Sequence, residues 1–225
     1  MRLTLLRHSP KDNINNSSYW NSRFSTDWSA KGGMLQTEEH IETLLPFLRL
    51  PRDYAGTIMD FGCAMGNGMP ILRNMFPKAH LIGVDYSRTA ILQCINRYGD
   101  IAEFVCNEDS EIPCADIIIS SHVIEHITED KAVVELLLKK CQSLYITVPY
   151  LEDIRLVPEH VHRYNKGYFK DINEYCDCYI IAERPFTLFG LIMSLYHIEM
   201  KNMIKRLLRR RLSKRRYQIL FIFQS

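Results

Sequence analysis

The sequence predicts one α/β domain built on a mostly parallel, doubly wound sheet, and three features predict it. From residue 57 onward, short apolar runs alternate with helical patterns, the rhythm of βαβ units. The run Thr57–Phe61 breaks into a turn of small residues, Gly62-Cys63-Ala64-Met65-Gly66-Asn67-Gly68, and resumes as a helical pattern at Met69. A second run, His80–Val84, ends on the carboxylate of Asp85. At 225 residues with 47% apolar side chains, the chain is long enough to bury a sizeable core in a single domain.

Taken in order, residues 1–18 turn polar and rich in Asn and Ser from Lys11 and predict a loosely ordered start. Tyr19 to Trp28 is dense in aromatics. It reads either as a helix packed by Trp20, Phe24 and Trp28 or as a lid that closes over a ligand. Gln36–Leu48 has a helical pattern, with further helices expected near 69–75, 87–98, 129–140 and 168–176. Strands are expected at 57–61, 80–84, 103–106, 116–120, 143–148, 179–182 and 218–223. This divides the chain into an N-terminal extension and helical lid, 1–50, and a ligand-binding domain, 51–225. A basic helical insertion falls at about 187–216.

The seven cysteines are odd in number and scattered through apolar patterns, which predicts free thiols in a reducing, cytoplasmic setting. Arg2 and Arg7 interrupt the apolar N-terminus, and no apolar run reaches the length of a membrane span. Net charge is only +2, yet cations crowd the stretch from Lys201 to Arg216. That stretch is either a solvated helix face or a peripheral contact with anionic membrane or phosphate. No RNA-reading motif accompanies it, so no nucleic-acid partner is expected.

The turn after the first strand carries the chemistry. Small residues let backbone N–H groups approach a ligand beside a helix N-terminus. Asp85 follows roughly 20 residues later, the spacing at which a carboxylate meets ribose hydroxyls. Gly62 and Asp85 therefore predict a bound nucleoside cofactor. The dinucleotide pattern G-x-G-x-x-G is not met, because Ala64 stands at its second glycine and Asn67 at its third. A nicotinamide-dependent oxidoreductase, which would share the fold, is disfavoured on that ground.

The string Asp60-x-Gly62-x-Ala64-x-Gly66 resembles motif I of the class I S-adenosylmethionine (SAM) methyltransferases. Gly83-Val84-Asp85-Tyr86-Ser87 is similar to motif II, Ala115 to Ile127 to the strand-four block, and Leu144–Pro149 to strand five. The resemblance covers residues 56–150 and implies a Rossmann-like seven-stranded sheet, mostly parallel with an antiparallel last strand. It implies SAM as cofactor and S-adenosylhomocysteine (SAH) as product. The loop Gly62, Cys63, Ala64 and Gly66 would hold the amino-acid end, Asp85 the ribose and Tyr86 the adenine. Glu108, or its neighbour Asp109, would meet the adenine amino group, and Ser121 and His122 would flank the methionine portion.

The acceptor side points to Val157–Asn165, a segment with two histidines, a carboxylate and a tyrosine at the carboxyl edge of the sheet. A neutral histidine with a pKa of about 6.5 suits a base for an attacking hydroxyl. His160 and His162 are the candidates, and in extended chain they point to opposite faces. Glu125 and His126, with His122 four residues before His126, invite a metal, but the spacing shows no third ligand and no metal is assigned. Cys176-Asp177-Cys178 lacks zinc-ligand spacing.

The resulting reading is a SAM-dependent methyltransferase acting on a small molecule. Its look resembles enzymes of bacterial surface-polysaccharide pathways, which implies a hydroxyl of a sugar or glycan precursor as acceptor. A quinone precursor, an amine, or a non-catalytic SAM-fold module remain alternatives.

Overall fold

A computed structural model describes residues 14–172, 176–182, 200, 202–208 and 217–224. Helices α1 (Ser17–Thr26) and α2 (Gly33–Leu48) precede strand β1 (Thr57–Phe61). There follow α3 (Met69–Met75), β2 (His80–Asp85), α4 (Arg88–Tyr98), β3 (Glu103–Cys106), β4 (Ile117–Ser121), α5 (Asp130–Leu138), β5 (Ser143–Pro149), β6 (Asp177–Ala182) and β7 (Tyr217–Gln224). They form one seven-stranded sheet in the order β3-β2-β1-β4-β5-β7-β6. All neighbours from β3 through β5 pair in parallel. The last strand in the chain, β7, runs antiparallel between β5 and β6.

Alternation along each strand sends side chains to opposite faces. Met59, Ile118, Ile146 and Phe221 pack on one side with Val133, Val134 and Leu137 of α5. Ile58, Leu81, Ile119 and Leu220 pack on the other with α2, α3 and α4, through Ile41, Leu44, Met69, Leu72, Ile91 and Cys94. With both faces covered, the strands read as near-continuous apolar runs, which is why the sequence located them within a residue or two. The chain moves outward from β1 to β3, then returns to β4 on the other side of β1. That reversal leaves a crevice at the carboxyl ends of β1 and β4, where open α/β sheets take their ligands.

The helix expected near 168–176 is not there over its described part. Residues 166–172 are successive turns, with Tyr168 N–H on the Asn165 carbonyl, Lys170 on Gly167 and Ile172 on Phe169. Tyr164, Tyr168, Phe169 and Ile172 all pack on the sheet, so their helix-like spacing reflects burial by turns. The loose start falls mostly outside the described residues, as do 187–199, 201 and 209–216 of the basic insertion. Residues 202–207 are helical. Among the described residues no helix is long and apolar enough to cross a membrane, and every cysteine is free.

Candidate active site

The loop after β1 is tied to β2 at its start. Gly62 and Cys63 both donate N–H groups to the Val84 carbonyl, at 2.7 and 3.0 Å. Gly62 (φ 86°) and Gly66 (φ 76°) are left-handed, and so is Ala64 (φ 49°). A Cβ on Gly62 would lie 2.1 Å from Val123 Cγ2, and one on Gly66 3.0 Å from the Tyr98 ring. Ala64 therefore departs from the glycine pattern at a position whose backbone favours glycine, and its methyl group carries strain of about 1 kcal/mol.

Asp85 closes the other wall. It is 8% exposed, with Oδ2 accepting the Ala64 N–H at 2.9 Å and Oδ1 the Ser87 N–H at 2.8 Å. Burial pushes its carboxyl up to about 6, against the pull of the N–H groups of Ser87, Ala64 and Tyr86. Asp60, 3% exposed, is pushed to about 7, first by burial and then by the charge of Asp85. Tyr86 is half-buried, and Cys63 is fully buried.

The loop after β3 departs from expectation in one respect. Glu108 and Asp109 are exposed, and Asp109 is ion-paired to Arg88. Their neighbour Asn107 is buried, with an Oδ1 that has no hydrogen-bond partner. The sequence ranked carboxylates here and passed over Asn107, the one of the three that faces inward. Ser121 Oγ and Thr147 Oγ1, opposite each other at the ends of β4 and β5, are likewise buried without partners. Orphaned oxygens at the carboxyl ends of these strands invite a polar ligand.

Past β4, His122 is left-handed (φ 56°) and Ile124–His126 forms a 3-10 turn. His122 Nδ1 bonds Glu125 Oε1 at 3.1 Å and Nε2 bonds Gln218 Oε1 of β7 at 2.9 Å, while its ring stacks on His40. It thereby ties the turn to the sheet. Burial raises the Glu125 carboxyl, but the His122 hydrogen bond and the nearby imidazoles prevail and hold it below the usual range. Burial keeps His126 below the ordinary imidazole value.

The two candidate histidines after β5 have different surroundings. His162 Nε2 meets the carbonyls of Ile127 (2.9 Å) and Thr128 (3.0 Å), and its Nδ1 meets the Tyr168 hydroxyl at 3.2 Å. Both its ring nitrogens are thus engaged in holding two loops together. His160 uses only Nδ1, 2.5 Å from Glu152 Oε2, and its ring abuts His126. Helix α1 roofs this corner: Tyr19 donates to Glu159 Oε1 at 2.6 Å and Trp20 packs edge-on against His126. It also reaches the loop after β1, where Phe24 packs with Ala64 and Met65, and Asn21 Oδ1 accepts from Ser87 Oγ and the Thr89 N–H.

Residues 59–142, from β1 to just before β5, match the family model described as a methyltransferase domain. Over that segment the chain carries a methyltransferase domain. Trans-aconitate 2-methyltransferase of Afipia carboxidovorans is 29% identical over 116 residues, covering 48% of this chain and 45% of that protein. The chain thus spans less than half the length of the curated relative it matches. The fold is shared with the plantazolicin methyltransferase BpumL, solved in complex with SAH (TM-score 0.58, 18% identity, 96% of this chain and 93% of that one). It is shared also with phosphoethanolamine N-methyltransferase 2 of Haemonchus contortus, solved with SAM (TM-score 0.62, 13% identity, 92% of this chain and 60% of that one).

Proposed function

We propose that this methyltransferase binds SAM along the Gly62–Gly68 loop and transfers its methyl group to an oxygen of a small-molecule acceptor. The observation that carries the reading is the buried Asp85 carboxylate, held by the N–H groups of Ala64 and Ser87 against the left-handed loop. Bound SAM supplies an electrophilic methyl group on a sulfonium. This chain's residues bind and orient. Gly62, Cys63, Ala64 and Gly66 bring backbone against the amino-acid end, Asp85 accepts from the ribose hydroxyls, and Tyr86 flanks the adenine. Asn107 joins Glu108 and Asp109 as a group for the adenine edge, and Ser121 and His122 line the methionine end.

The acceptor end lies under α1, at Glu125, His126 and His160. His160 acts there through Nε2, the ring nitrogen that Glu152 leaves available, while His162 fixes the loop that carries it. A sugar or glycan-precursor hydroxyl is the leading acceptor, its proton suiting a neutral imidazole backed by a carboxylate. The name of the Afipia relative favours a second reading, a carboxylate acceptor. The short helix 202–207, with Lys205 and Arg206 beside exposed Met203, Ile204 and Leu207, supports a peripheral contact with an anionic surface.

Release of SAH from SAM, measured across nucleotide sugars, glycans, phenols, amines and polycarboxylates, tests the reading. Turnover on a hydroxyl substrate that His160→Ala abolishes is expected. Turnover confined to amines would overturn the oxygen acceptor.

A further inference from the structure

Among the described residues, Glu125, His126 and His160 are the one trio of His, Cys, Asp or Glu side chains whose ligand atoms converge, all within 4.8 Å of one another. The trio comes from two loops, the 3-10 turn after β4 and the segment after β5, whose parallel pairing brings their carboxyl ends together. Glu125 is fully buried, and its Oε2 has no hydrogen-bond partner although Oε1 is bonded to His122. A buried carboxylate oxygen left unsatisfied is costly unless something binds it.

Both rings are set up as ligands. His126 Nδ1 lies 3.0 Å from the Glu159 carbonyl, which can only accept, so the proton sits on Nδ1 and the lone pair on Nε2. His160 Nδ1 lies against the Glu152 carboxylate, with the same consequence. A carbonyl or carboxylate behind each imidazole is the backing that metal-bound histidines characteristically carry.

We propose that Glu125, His126 and His160 hold a divalent cation of the manganese-to-zinc series, with an open position that takes an oxygen of the acceptor. Two imidazoles and one carboxylate suit that series and are poor ligands for Mg2+ or Ca2+. Tetrahedral Zn2+ needs ligand atoms about 3.3 Å apart, so the cluster tightens by up to about 1.5 Å on binding. With the cation bound, His160 Nε2 is a ligand and no longer the base: the cation binds the acceptor oxygen and loosens its proton, which leaves to water. The methyl transfer itself is unchanged, and nothing is oxidised or reduced. The metal site stands on its own geometry; only the acceptor's place on it rests on the methyltransferase reading.

The full chain, stripped with chelator, is titrated with Zn2+ against a chromophoric competitor, without SAM or acceptor. One equivalent is expected. His126→Ala and His160→Ala lower the affinity by more than about 100-fold, and Glu152→Gln, which only backs His160, by about 10-fold. The Cys176→Ala/Cys178→Ala double variant is expected to keep it. SAH affinity of each variant, expected unchanged, shows that the fold survives. Absence of stoichiometric Zn2+ in wild type, or its loss with the cysteines and not the histidines, overturns the site. If SAH still binds in that case, the methyltransferase reading stands and His160 acts on the acceptor directly. Failure of SAH binding in wild type would instead sink that reading.

Discussion

Replacing Gly62 by alanine probes how the loop after β1 is held against the turn after β4. The new Cβ would lie 2.1 Å from Val123 Cγ2 and 2.9 Å from Cγ1, where carbon atoms normally stay about 3.5–4.0 Å apart. The loop cannot easily retreat, because the N–H groups of Gly62 and Cys63 are both fixed on the Val84 carbonyl. Overpacking of this kind costs about 1–3 kcal/mol, and the left-handed backbone at φ 86° adds about 1 kcal/mol for any residue with a Cβ. A loss of about 3 kcal/mol follows, lowering Tm by about 6–12 °C in a domain of this size. Urea unfolding of Gly62→Ala, Val123→Ala and the double variant separates the two parts. Val123→Ala alone should cost about 1 kcal/mol. In the double variant it should instead recover about 1 kcal/mol relative to Gly62→Ala, since it removes the two methyl clashes and leaves the backbone strain and a 3.0 Å approach to the Val123 Cβ. Additive losses in the double variant would refute the contact between this loop and the turn.

Three further expectations concern other parts of the site. Ala64→Gly relieves a left-handed alanine but removes a buried methyl packed with Phe24, worth about 0.8 kcal/mol, so its stability in urea should stay within about 1 kcal/mol of wild type; a loss above about 2 kcal/mol would show that the loop is not in this conformation. Asp60, raised from 3.8 to about 7 in the folded chain, binds a proton more tightly folded than unfolded between those values. Its contribution to stability is complete below about pH 4 and is lost as pH rises to about 7. Asp60→Asn should therefore raise Tm relative to wild type more at pH 8 than at pH 5, and calorimetry showing an equal shift at both would contradict its burial. His162→Ala should lose about 1–3 kcal/mol, with its loop ties to the Ile127 and Thr128 carbonyls gone, while its SAH affinity stays within about twofold. An unchanged Tm would remove the structural role assigned to it.

The sheet was legible because strands buried on both faces are continuous apolar runs, and the left-handed loop after β1 with Asp85 against it because a small-residue turn and a strand-ending carboxylate sit at a readable spacing. Ala64 illustrates what spacing hides. As a letter it differs from glycine by one methyl group, yet its cost is set by a backbone angle that only the fold reveals. Glu108, Asp109 and Asn107 are adjacent and all polar, so burial, not chemistry, separates them. The turns at 166–172 carry a helix-like apolar period because aromatic residues at 164, 168 and 169 all reach the sheet. His126 and His160 lie far apart in sequence, and no spacing rule joins them. They meet because β4 and β5 are parallel neighbours, so a third partner for the Glu125-His126 pair becomes visible only once strand order is known.

If Asp85 and the Gly62–Gly68 loop form a SAM cradle, the affinity for SAH depends on the Asp85 carboxylate. Titration calorimetry with SAH, on wild type and Asp85→Asn, tests it most directly. Wild type should bind SAH in preference to NAD, and more weakly as pH falls below about 6, where Asp85 takes up a proton. Asp85→Asn should bind SAH at least about tenfold more weakly, a loss of about 1.4 kcal/mol, with the pH dependence gone. Equal SAH affinity in the two proteins, or binding of NAD and not SAH by wild type, would contradict it.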